Sequence, residues 1–88
     1  MMTEKELIYT LRNMLKFLAG DDMAKAATAT KVHKACNEVL APPQLKIIDL
    51  VYIGGLSPLT VAFLFDLPPR KVELLRRSAI RFLMTELV

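Results

Sequence analysis

Five cations crowd the last 19 residues of this 88-residue chain: Arg70, Lys71, Arg76, Arg77 and Arg81. Only Glu73 and Glu86 oppose them there. Acidic and basic residues balance over positions 1–69, so the whole net charge of +3 lies in the tail. Four of the five are arginines, whose planar fork matches phosphate oxygens and base edges in two-pronged fashion better than lysine does. On a helix, at 100° per residue, Arg70, Leu74, Arg77 and Arg81 fall within an arc of about 60°. Val72, Leu75, Ala79, Phe82 and Leu83 fall on the other side, as a buried face. A basic stripe opposite an apolar one is the layout of a helix lying in or along a DNA groove. An Arg-rich helix meeting an acidic protein surface is the competing reading.

Other chemistry is sparse. His33 and Cys36 are three apart and could touch one ion, but two ligands do not make a zinc site. No nucleophile–base pair, carboxylate cluster or glycine-rich phosphate loop is present, so neither an enzyme nor a cofactor is expected. A single cysteine excludes a disulfide scaffold and fits a reducing cytoplasm. The longest uncharged run, Leu50 to Phe65, is interrupted by Gly54, Gly55, Ser57 and Pro58 and is too short to span a bilayer. Met1-Met2-Thr3-Glu4-Lys5-Glu6 is mixed in charge with no cleavage-type ending, so no secretion signal is expected.

The elements that must position the stripe read as all-α, about five helices in one domain over 1–88, with oligomerisation helices in 4–40 and a helix-turn-helix part in 44–87. Thr3 and Glu6 form a capping-box pattern opening a first helix from about Glu4 to Ala19. Its seam of Leu7, Leu11, Met14 and Leu18 suits pairing with another helix, including a second copy. Asp21 or Asp22 caps a second helix, about Met23 to Leu40, whose face is Met23, Ala27, Val32, Cys36, Val39 and Leu40; Thr28 and Thr30 invite a break. Pro42-Pro43 opens a third helix carrying Leu45, Ile48, Val51 and Tyr52, although Ile47 to Ile53 could instead be a buried strand. Gly54-Gly55 forces a turn. Ser57-Pro58 starts a short fourth helix, to about Phe65; Asp66 tolerates the turn, and Pro68-Pro69 opens a fifth, about Pro69 to Glu86.

Residues 58–77 have helix-turn-helix spacing. Ala62 is the small residue that lets the second helix approach, and Val61, Phe65, Leu67, Val72 and Leu75 lock the pair. The candidate DNA contacts are Ser57, Pro69, Arg70, Lys71, Leu74, Arg76, Arg77 and Arg81. Phe63 and Leu64 occupy outward positions where polar residues are usual; either the first or second helix covers them within the chain, or they contact a partner. The apolar fraction of 53 % exceeds what so short a chain readily buries, which also points to subunit contact.

Leu40-Ala41-Pro42-Pro43-Gln44-Leu45, then Ser57-Pro58-Leu59-Thr60-Val61 and the helix up to Leu87, resemble the FlhD family of transcriptional activator subunits. The resemblance extends loosely to Glu6-Leu7 and Leu15-Lys16-Phe17-Leu18. It implies an all-helical homodimer that assembles with an FlhC-like partner, binds promoter DNA and recruits RNA polymerase. Cys36 does not match the family's inter-subunit cysteine. A more generic resemblance, through Leu56-Ser57 and the helices that follow, is to region 4 of sigma factors.

Overall fold

A computed structural model describes residues 2–87, and among them every regular element is helical. The helices are α1 (Glu4–Arg12), α2 (Met14–Ala19), α3 (Met23–Val39), α4 (Pro42–Ile48), α5 (Pro58–Leu64) and α6 (Pro69–Leu87). A π-helical stretch, Asp49–Ile53, continues α4. The strand alternative for Ile47 to Ile53 is therefore overturned.

Local chemistry sets most boundaries. Thr3 Oγ1 accepts from the Glu6 N–H at 3.1 Å, and its hydroxyl donates to Glu6 Oε1. The expected single first helix is split at Asn13. There the Asn13 side chain donates to the Tyr9 carbonyl at 2.8 Å, competing with the backbone ladder. Asp22 caps α3 through the Lys25 N–H. No break occurs at Thr28 or Thr30: their hydroxyls bond back to the carbonyls of Ala24 and Ala26, and α3 runs on through both. The face of α3 differs from the expected one. Ala29, Val32, Ala35 and Cys36 are buried, whereas Met23 and Ala27 are exposed.

Two apolar clusters hold the chain together. The larger gathers Leu7, Leu11, Met14 and Phe17 with Ala29, Val32, Cys36, Tyr52, Ala79, Ile80 and Leu83. The smaller is Ile47, Val61, Ala62 and Val72, flanked by Leu50, Leu56, Leu67 and Leu75. Helix α6 runs through both. Its first half packs on α4 and α5, and its second half on α1 and α3. That change of neighbours rotates the buried arc along α6. Ile80 is buried and Phe82 is 48 % exposed, the reverse of a constant helical stripe.

The expected pairing seam is spent inside the chain. Leu7, Leu11 and Met14 are buried against α3 and α6, so they offer no surface to a second molecule; only Leu18, at 41 % exposure, reaches out. Gln44, buried at the start of α4, fixes that helix to α6. Its Oε1 accepts from the Ala41 N–H, and its Nε2 donates to Ser78 Oγ at 2.9 Å.

Candidate nucleic-acid interface

The unit formed by α5, the four residues Phe65 to Pro68, and α6 begins at Ser57. Ser57 Oγ accepts from the Thr60 N–H at 3.1 Å, with Pro58 in the first helical position. At the other end Asp66 takes a left-handed backbone (φ 52°), and the Leu67 N–H reaches the Ala62 carbonyl at 2.9 Å. Ala62 is buried, as the close approach of α5 and α6 requires. Upstream, Gly55 adopts φ +73°, and a Cβ on Gly54 would lie 2.9 Å from the Leu50 carbonyl oxygen. Glycine is thus required where the π-helical stretch turns toward α5.

Arg70, Lys71, Arg77 and Arg81 are all exposed on α6, and Leu74 is 56 % exposed among them. Pro69 is exposed at the helix start. Among the described residues, Arg70, Lys71 and Arg81 make no ion pair and no side-chain hydrogen bond. Arg70 and Lys71 sit in the first turn of α6, which carries no acidic residue. Cations there oppose the positive end of the helix dipole, at a cost of roughly 0.3–1 kcal/mol each. A neighbouring phosphate would turn that cost into a gain.

Arg76 is different. Its side chain is 22 % exposed, its Nε and Nη2 donate to the two carboxylate oxygens of Glu73, and its Nη1 donates to the Tyr52 hydroxyl at 2.7 Å. It ties α6 to the π-helical stretch, and the expected DNA contact is corrected to this structural role. Ser57 is exposed, but its hydroxyl is engaged in the cap and with Thr60 Oγ1. Glu73, which sequence reasoning treated only as a counter-charge, is the hub. It accepts from Arg76 and also from Arg77 Nε at 3.2 Å. These bonds hold its carboxyl below the ordinary range. The spacings of Glu73 to Arg76 and Arg77 were visible in the sequence as (i, i+3) and (i, i+4) pairs. The reach to Tyr52, 24 positions away, was not.

An open groove of about 440 Å³ runs beside the second half of α6, lined by Arg76, Arg77, Ile80, Arg81 and Met84, with Glu4 of α1 on its wall. On α5, Phe63 is 86 % exposed, Leu59 68 % and Leu64 59 %. Burial pushes the Cys36 thiol up to about 11. Among the described residues no group of three or more His, Cys, Asp or Glu side chains could hold a metal ion, and no helix is long and apolar enough to cross a membrane. Comparisons with protein-family models, with curated proteins and with solved structures find no significant match to this chain.

Proposed function

We propose that this chain is a DNA-binding transcriptional regulator whose α6 lies in the major groove, and that it works as an activator subunit in a homo- or hetero-oligomer. The observation that carries the reading is the exposed cations of α6: Arg70, Arg77 and Arg81 share one face, and Arg70 and Lys71 sit without a counter-charge in the first turn, where the helix dipole disfavours them. In this reading Arg70, Lys71 and Arg81 meet phosphates, while Leu74 and Arg77 face base edges, a leucine suiting a thymine methyl. One such helix binds weakly, so useful affinity needs a second copy or a partner. The exposed Leu59, Phe63 and Leu64 supply a surface for one, and the resemblance to the FlhD family suggests an FlhC-like protein and promoter DNA.

The test is a fluorescence-anisotropy titration of duplex DNA at several salt concentrations. Three cations on phosphates give a log–log salt slope of about −3. Arg77→Ala and Arg81→Ala each weaken binding, and a phosphate contact flattens the slope by about one unit when removed. Unchanged affinity and slope in both variants would refute the groove-facing assignment.

A second reading, an interaction adaptor whose Arg-rich helix meets an acidic protein, is favoured by one observation: α5 contains no charged residue and leaves Phe63 almost wholly exposed. Retention on heparin and duplex DNA separates the two. The adaptor is eluted from DNA at low salt, whereas the regulator is held.

A further inference from the structure

Arg76 and Arg77 are neighbours in sequence with different partners. Arg76 uses Nε, Nη1 and Nη2 within the protein. Arg77 donates only from Nε, to Glu73 Oε1, and its side chain is 68 % exposed. Among the described residues its two terminal nitrogens have no partner. An arginine gripped at Nε has a restrained guanidinium plane but keeps Nη1 and Nη2 as a free two-pronged donor. The grip is anchored in depth. Buried Tyr52 accepts from Arg76, Arg76 holds Glu73, and Glu73 holds Arg77. In the major groove only guanine presents two adjacent acceptors, N7 and O6; adenine presents an acceptor beside a donor, which would face the arginine with a like group.

We infer that Glu73 is a positioning residue that holds Arg77 by its Nε so that Nη1 and Nη2 read one guanine in the DNA bound by α6. The inference rests on α6 being the groove-facing helix. Arg70, Lys71 and Arg81, untethered, serve the phosphates, where charge counts for more than a set plane.

Removing Glu73 therefore has two effects of opposite sign. The face loses a negative charge, so binding to arbitrary sequence tightens and its salt slope steepens. Arg77 loses its grip, so discrimination falls. If Glu73 acted through its charge alone, removing it would raise affinity for every sequence alike; if its role were structural alone, removing it would lower affinity throughout.

The experiment selects from a pool of random-sequence duplexes with the full-length chain. It then measures affinity for the enriched duplex and for versions with each guanine changed to adenine. The wild type is expected to prefer one guanine by about 5- to 150-fold, the range of one good two-pronged contact. In Glu73→Ala the preference at that position falls to about twofold or less while binding to a scrambled duplex tightens. Glu73→Gln, which keeps an acceptor without the charge, retains an intermediate preference, and it decides the matter should the alanine variant unfold. Two results overturn the inference and leave the reading of α6 intact: enrichment of no guanine-containing site by a DNA-binding wild type, or a guanine preference undiminished in both variants. If the wild type binds no duplex at all, or if Arg77→Ala and Arg81→Ala leave binding unchanged, the DNA-facing reading of α6 fails, and the inference with it.

Discussion

The α1–α3 region and the α4–α6 region are both apolar, yet they dispose of their side chains differently. In the first, Leu7, Leu11, Met14 and Phe17 close on the small residues Ala29, Ala35 and Cys36 and on the second half of α6. Leu15, Leu18 and Met23 are left at its edge. In the second, a core of Ile47, Val61, Ala62 and Val72 suffices to set α5 against α6, and Leu59, Phe63 and Leu64 stay in water. The difference follows from length and residue size. Seventeen residues of α3 offer an alanine-lined floor to several neighbours, whereas seven residues of α5 bury one side only. The lesson concerns where spare apolar surface can act. The N-terminal seam is consumed by folding, while the α5 surface remains available.

The largest effect expected is in the consumed seam. Leu11→Ala, at a fully buried position, should cost about 3 kcal/mol in urea unfolding. Ile47→Val in the smaller core should cost about 1 kcal/mol. Because α6 crosses both clusters, one cooperative transition is expected in each variant; two separate transitions would break the picture of regions coupled through a shared helix.

Next in size is the tie, within the second region, between α6 and the π-helical stretch. Tyr52→Phe leaves Arg76 Nη1 without its acceptor, and a hydrogen bond to a charged group is worth about 1.5–3 kcal/mol. Equal stability of Tyr52→Phe and wild type would show that the tie adds nothing to the fold.

A smaller effect is the pH dependence of the same hub. The folded Glu73 carboxyl is held below its usual value of 4.5, so the unfolded chain binds the proton more readily. The stabilisation is present above that value and is lost as pH falls through the lower folded value. Acid unfolding of Glu73→Gln should therefore show a shallower loss of stability than wild type below about pH 5. Glu73 is about one-third exposed, and solvent keeps the contribution modest. Identical acid limbs would remove Glu73 from the network.

The smallest effect on folding is expected at the available surface. Phe63→Glu should change stability by no more than about 0.5 kcal/mol, yet reduce association in sedimentation velocity. A large drop in melting temperature would instead place Phe63 in a core and erase the contrast between the regions.

Much of this architecture is written locally. The caps at Thr3, Asp22 and Ser57, the proline at the start of α5 and α6, and the left-handed Asp66 are all decided within a few residues, and each lies where the sequence predicts a boundary. The exposed placement of Arg70, Leu74, Arg77 and Arg81 follows from helical period alone. The misplaced expectations share one cause, which is that a period cannot name its neighbours. Phe82, expected in the buried face, is exposed while Ile80 is buried, because α1 and α3 cover a different side of α6 than α4 and α5 do. Met23 fits a helical face, but no helix lies over it.

By itself, then, the sequence determined that the chain is helical, where most helices begin, and that its net charge sits on α6. Those depend on backbone propensity, capping and composition, which act over one or two turns. Only the tertiary structure decided that Leu7, Leu11 and Met14 are core and not interface, that Arg76 is tied to Tyr52 while Arg77 keeps a free edge, and that Phe63 is bare. Those outcomes depend on which surfaces meet after the chain has folded back on itself, across separations that no local pattern records.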